Sequence, residues 1–277
     1  MFDVESYLSR LGVSGPVGPD LETLRDLHKR HLRAIPYDSS LNARRDTALW
    51  NKGGTLSGLW NDESADVDAV FRSVVLEGRG GVCYELAGLF RRLIRELGFD
   101  PVMFSAGVRN MDGSFGPDQE HTFLGVELDG ERWLVDVGFA GPSFLEPLRL
   151  TDEVQEQYGC QYRIVAQEGY HVVQRRPRDG DWLAIYRFTA QPRDFAEWDG
   201  PAPSLAALAD DLVTQKLVLR GRALDNGQMV LFHTRYLRLE DGRETVRMLR
   251  KNELEEVVRL ILDVPAGGGD AEPDTVR

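Results

Sequence analysis

The segment Arg79-Gly80-Gly81-Val82-Cys83-Tyr84-Glu85 carries one of only two cysteines in the chain, directly after a glycine pair. A free thiol is a poor nucleophile near neutral pH. A helix N-terminus and an imidazole both stabilise its thiolate, and a carboxylate can orient that imidazole. The chain supplies these partners as His121, in Glu120-His121-Thr122-Phe123, and Asp136, in Leu134-Val135-Asp136-Val137-Gly138-Phe139. Gly80-Gly81 allows a sharp turn and a close backbone approach before a helix. Cys83 then falls in the first helical turn, where unpaired amides and the helix dipole favour an anion. Those amides could also hold the oxyanion of a tetrahedral intermediate. A cysteine beside an apolar helix stripe is ordinarily just a buried residue; here the glycine pair and the two partners outweigh that reading.

Asp129-Gly130, between Leu128 and Glu131, is a strong two-residue hairpin signal. With that loop, Asp136 lies opposite Phe123 and His121 opposite Gly138. His121 and Asp136 then share a face as diagonal neighbours, about 7–8 Å apart between backbones. A hydrogen bond across that gap would set the imidazole tautomer and leave its other nitrogen for Cys83. A loop longer or shorter by one residue would reverse the parity. An aspartate inside an apolar strand needs a partner in any case. His28, His31, His171 and His233 sit in ordinary helix or strand contexts and are assigned no role, and Cys160 reads as a structural or incidental thiol.

The elements that must position these groups divide near Pro101. Before it the pattern is helical: Asp3 to Leu11; a helix opened by Pro19-Asp20 and ended by Pro36; one capped by Asp66; and one from Cys83 to Gly98 carrying Leu86, Phe90, Leu93 and Leu97. After it the period becomes two. Strands are predicted at Val102 to Val108, Thr122 to Leu128, Arg132 to Val137, Tyr162 to Ala166, His171 to Gln174 and Trp182 to Phe188, a run of antiparallel structure suited to a small barrel. A Pro-rich link, Gly200-Pro201-Ala202-Pro203, leads to a short helix, strands through Leu239 and a helix from Asn252 to Leu262. The stretch Asn42 to Ser64 is Gly/Asn/Asp-rich and carries Trp50, Leu56, Leu59 and Trp60; it reads as a wall for a long apolar substrate or as an ordinary surface excursion.

The whole chain bounds these readings. Its 277 residues, 42% apolar, can bury a sizeable core shared by two or three units. A formal charge of −12 argues against nucleic acid and anionic membrane as partners. Two cysteines indicate neither a disulfide framework nor a structural zinc site, and no metal is expected. With no spanning run and no signal-peptide pattern, a cytoplasmic protein is expected. An acidic donor would need a local basic surface; Arg91, Arg92 and Arg95, or Arg175, Arg176 and Arg178, are the candidates, though a solvated face is the simpler reading of each.

At His31-Leu32-Arg33-Ala34-Ile35-Pro36-Tyr37, Arg79 to Glu85, Glu120 to Phe123 and Val135 to Phe139, the chain resembles the arylamine N-acetyltransferases. The resemblance covers most of the sequence. It implies an α+β fold: an N-terminal helical domain (1–100) carrying the nucleophile, a central antiparallel β-barrel (101–200) carrying His and Asp and a C-terminal α/β lid (201–264); the tail (265–277), with Gly267-Gly268-Gly269 followed by Asp, Glu and Pro, reads as disordered from its composition. The resemblance implies a cysteine-protease-like site with Cys83 as nucleophile, His121 as base and Asp136 as orienting acid. It also sets Tyr37, Gly138 and Phe139 against the substrate. The reaction implied is acyl transfer from a thioester to an aromatic amine, with no bound cofactor.

Several departures point to one branch. The family's Pro-Phe-Glu-Asn is here Pro36-Tyr37-Asp38-Ser39, its Glu-Gln-Asn after the nucleophile is Glu85-Leu86-Ala87, and the 42–64 stretch is longer. The Ser/Pro-rich stretch linked to coenzyme A is not recognisable in Trp198 to Ser204. These resemble the amide synthases of ansamycin pathways, which take a long polyketide from an acyl carrier protein and close a macrolactam onto its own arylamine. That branch is favoured over an acetyl-coenzyme A-dependent arylamine N-acetyltransferase. Residues alone leave open a cysteine hydrolase or amidase, since the outcome depends on whether water or an amine reaches the acyl-enzyme. A non-enzymatic binding module would make Gly-Gly-Val-Cys at a helix start and Asp136 in an apolar strand coincidences.

Overall fold

The computed structural model describes residues 1–40, 65–194, 197 and 218–264. The 42–64 stretch with its tryptophans, the Pro-rich link with the helix after it, and the tail from 265 lie outside the described residues.

Three of the helices build the platform beneath the nucleophile. Helix α1 (Val4–Arg10) starts where Asp3 accepts the Ser6 N–H at 2.7 Å, and α2 (Leu21–Ala34) where Asp20 accepts the Thr23 N–H at 2.8 Å. Pro36 follows the end of α2, as expected of a residue that cannot continue a helix. The two-residue strand β1 (Tyr37–Asp38) comes next. Helix α3 (Ala65–Phe71) widens into a π-type turn over Arg72–Leu76, so Asp66 lies within its first turn rather than before it. Helix α4 (Cys83–Glu96) buries Leu86, Leu89, Phe90, Leu93 and Ile94 along one stripe, against Leu24, Leu27 and Phe71.

An eight-stranded antiparallel sheet follows: β2 (Pro101–Val108), β3 (His121–Leu128), β4 (Glu131–Val135), β5 (Leu148–Arg149), β6 (Gln155–Gln157), β7 (Cys160–Gln167), β8 (Tyr170–Arg176) and β9 (Leu183–Phe188). The strand order is β5-β4-β3-β2-β9-β8-β7-β6. The sheet curls almost into a barrel, and side chains bridge its two ends. Gln155 of β6 accepts the Arg149 N–H and donates to the Arg149 carbonyl, both at 2.9 Å. Gln157 accepts from Leu145 and Glu146 at 3.0 Å each and donates to the Glu146 carbonyl at 2.9 Å.

The β3–β4 hairpin turns at Asp129 and Gly130, both at positive φ, 53° and 79°. It pairs Leu128 with Glu131 and Leu124 with Val135. One face of this hairpin, Leu124, Val126, Trp133 and Val135, packs on the helices. The other, Phe123 and Leu134, joins Phe104, Phe144, Tyr186 and Phe188 inside the curled sheet.

A second sheet, ordered β1-β10-β11-β12-β13, comprises β10 (Leu219–Ala223), β11 (Gly227–Phe232), β12 (Arg235–Glu240) and β13 (Arg243–Met248) beside β1. Helix α5 (Lys251–Leu262) packs Val257 and Ile261 on Met229, Leu231 and Tyr236. The described residues therefore combine helices with two antiparallel sheets, an α+β architecture. Among the described residues no helix is long and apolar enough to cross a membrane.

Candidate active site

The loop before α4 is held by β1. Gly81 N–H donates to the Pro36 carbonyl at 3.1 Å, and Asp38 N–H donates to the Gly81 carbonyl at 3.0 Å. Gly80 takes φ +78°, and a Cβ there would lie 2.6 Å from the Pro36 carbonyl oxygen, so the position requires glycine. Val82, extended at φ −111°, precedes the helix, and the buried Glu85 carboxylate accepts its N–H at 3.3 Å. Cys83 thus opens the helix, where N–H groups lack intrahelical partners. Asp38 is itself buried and sits 3.2 Å from the Arg220 guanidinium of β10, tying the second sheet to this loop.

Helix α4 packs on β3, whose first residue is His121. His121 Nε2 lies 2.8 Å from Asp136 Oδ2, with both side chains almost wholly buried. The other carboxylate oxygen accepts the Gly138 N–H at 3.1 Å. With Nε2 committed to the aspartate, Nδ1 is the nitrogen that remains for a proton shared with the neighbouring Cys83. Burial alone would depress the imidazole pKa. The Asp136 carboxylate and the Cys83 sulfur reverse that effect and raise it to about 10. The arrangement can therefore hold a proton on His121 beside a sulfur, poised to be returned.

Aromatic rings enclose the imidazole: Phe123 stacks on it at 6.0 Å, Phe139 meets it edge-on at 5.3 Å and Tyr186 lies at 5.5 Å. Burial and the Asp136 carboxylate push the Tyr186 phenol well above its ordinary value. Tyr37 and Phe139 line one narrow cleft with Val137, Gly221 and Met229. Burial, then the neighbouring Cys83, holds the Tyr37 phenol up as well. Gly138 packs directly on the nucleophile: a Cβ there would lie 2.9 Å from Cys83 Cα. The structure thus brings Cys83, His121, Asp136, Tyr37, Gly138 and Phe139 into one neighbourhood.

His28, to which no role was assigned, belongs to this neighbourhood as well. Its Nε2 accepts the Asp136 backbone N–H at 3.0 Å, and its Nδ1 lies 2.8 Å from the Leu145 carbonyl. Nothing local in the sequence announces a bond across 108 positions. Cys160 is a free, buried thiol whose pKa burial pushes up, consistent with an inert core residue. Neither arginine set forms a uniform solvated face, because Arg91 and Arg175 are buried and Arg175 pairs with Glu244 of β13.

Residues 20–267 match the family model described as N-acetyltransferase. The chain is 43% identical over 256 residues to the proansamycin X synthase of Amycolatopsis mediterranei, covering 91% of this chain and 94% of that one. It is 35% identical to the arylamine N-acetyltransferase of Mycolicibacterium smegmatis, over 69% of this chain and 66% of that one. The structure of Mycobacterium marinum arylamine N-acetyltransferase in complex with CoA superposes with a TM-score of 0.73 at 26% identity, covering 97% and 95% of the two chains. A matching family model over nearly the full length, a shared fold and a synthase relative along almost the whole sequence lead to one conclusion: the chain belongs to the arylamine N-acetyltransferase family and is an N-acyltransferase.

Proposed function

We propose that this N-acyltransferase is an amide synthase of the ansamycin type, releasing a polyketide by macrolactam formation through an acyl-Cys83 intermediate. The observation that supports the chemistry is the buried His121–Asp136 hydrogen bond beside Cys83 at the head of α4, with Gly138 bonded to Asp136 and packed on Cys83. The choice of branch is supported by the breadth of the likeness to the synthase, 91% of the chain against 69% for the M. smegmatis acetyltransferase.

In the first half-reaction the Cys83 sulfur attacks the donor thioester carbonyl. A new C–S bond forms, and the donor's own C–S bond breaks as its thiol leaves with the proton that His121 carried. The first-turn amides of α4 are suitably placed for the oxyanion. In the second, the aryl amine attacks the acyl-cysteine, the C–N bond forms and the C–S bond to Cys83 breaks. The proton lost by the amine nitrogen returns to His121, restoring the starting pair. An aromatic amine is largely uncharged near neutral pH, so its lone pair is available. When donor and amine belong to one molecule, closure benefits from proximity. The donor is a carrier-bound acyl thioester, and an acyl carrier protein is the partner.

The test is intact-protein mass after brief exposure to a long-chain acyl thioester and, separately, to acetyl-coenzyme A, with Cys83→Ala as control. A long-chain adduct at Cys83 that turns over to amide supports the synthase. An acetyl adduct discharged by an arylamine would favour the acetyltransferase reading, to which the CoA-bound relative lends weight. Discharge to free acid despite added amine would make the protein a hydrolase. Amide formation at the normal rate by Cys83→Ala would end the covalent mechanism.

A further inference from the structure

We propose that His28 is a positioning residue for this site, holding the backbone from which Asp136 is aimed at His121. The inference rests on the reading of Cys83, His121 and Asp136 given above.

The β3–β4 ladder ends at the pair Leu124 and Val135. Asp136 is the next residue, so its N–H has no strand to bond. His28, on α2, takes the place of that missing strand at 3.0 Å. The tautomer is dictated by its neighbours. The Leu145 carbonyl can only accept, so the ring proton sits on Nδ1; the Asp136 amide can only donate, so Nε2 presents its lone pair. The ring is fully buried, stacked on Phe144 at 5.8 Å and met edge-on by Phe90 at 6.5 Å, which leaves it no other orientation. Burial also depresses its pKa, in keeping with a neutral imidazole.

Asp136 is thereby fixed at three atoms. His28 holds its nitrogen, Gly138 holds Oδ1, and Oδ2 alone is left for His121. The neighbouring His31 provides the contrast. It is equally buried on the same helix, but its Nε2 meets the Tyr7 hydroxyl at 2.9 Å, away from Asp136.

Two near-isosteric variants separate the two contacts. His28→Asn retains a donor where Nδ1 stood and loses the acceptor for Asp136. His28→Gln retains an acceptor where Nε2 stood. His31→Phe controls for the loss of any buried imidazole. The expected result is a 10- to 100-fold fall in kcat for His28→Asn with KM for the amine within about threefold, from misplacement of the orienting carboxylate. His28→Gln should recover most of that loss, and His31→Phe should lower Tm while sparing kcat. Equal kcat in the Asn and Gln variants, or an equal fall in His31→Phe, overturns the inference. The far-downfield proton resonance of the His121–Asp136 bond gives a readout free of substrate. It should weaken or move in His28→Asn and persist in His28→Gln; if it is unchanged in both, the inference is overturned. A wild-type protein that forms no acyl-cysteine would refute the functional reading instead, and the resonance would still judge His28.

Discussion

Replacing Asp136 by asparagine changes one atom of the candidate site and tests its electrostatics. The Gly138 N–H, 3.1 Å from Oδ1, will keep the asparagine oxygen on its own side. The new NH2 group then faces His121 Nε2, where the carboxylate had accepted at 2.8 Å. A donor there compels Nε2 to accept, which moves the imidazole proton to Nδ1, toward Cys83. A base that already carries its proton on that side cannot take another from sulfur. The carboxylate is also the main favourable influence raising the His121 pKa to about 10, against the depressing effect of burial. Loss of that charge and inversion of the tautomer act in the same direction, and the same change costs about four decades in a serine-nucleophile triad, so a fall of at least about a thousandfold is expected. The assay is single-turnover acylation of Cys83 by a chromogenic acyl ester at pH 7, with Tm measured in parallel to confirm folding. An Asp136→Asn protein that acylates within tenfold of wild type would refute the reasoning, because neither proton placement nor charge could then be limiting.

Three further outcomes follow from contacts already described. Gly138→Ala sets a Cβ 2.9 Å from Cys83 Cα, about 0.5 Å inside ordinary contact, and should slow acylation about tenfold at nearly unchanged amine KM, read by the same burst assay. His31 is buried and neutral with its pKa lowered from 6.5 to about 3, so the stability it confers is present above pH 6.5 and is lost as pH falls toward 3. Thermal melts between pH 7 and 4 should therefore decline less steeply in His31→Phe than in wild type. Asp38→Ala strands the Arg220 guanidinium and should cost about 3 kcal/mol by urea denaturation, with Asp38→Ala/Arg220→Met recovering part of it.

Local signals in the sequence anticipated that His121 and Asp136 meet, because a single hairpin sets their contact. The turn signal Asp129-Gly130 sets the pairing of Leu124 with Val135, and that register brings His121 and Asp136 to one face. The glycine pair before Cys83 marks a helix start that the structure has at that residue. What escaped had no local mark. Strand β13 is exposed along its whole length, so it has no buried face to produce an alternating pattern. Strand β1, of two residues, is too short for any period, yet it joins Gly81 to β10. His28 reads as one more residue on the apolar side of α2 until the chain returns to it at Asp136.

The glutamine seam between Arg149 and Gln155 has a consequence for the margin of the curled sheet. The amide of a glutamine side chain offers one carbonyl and an N–H donor, the same pair that a peptide unit presents to a neighbouring strand. Gln155 and Gln157 use theirs to occupy backbone groups at the end of the curled sheet, where a strand from another molecule would otherwise add. Blocking is thus entrusted to two side chains rather than to a continuous ladder. Replacing both by alanine would expose edge groups without removing a strand, turning a closed margin into a template for intermolecular pairing.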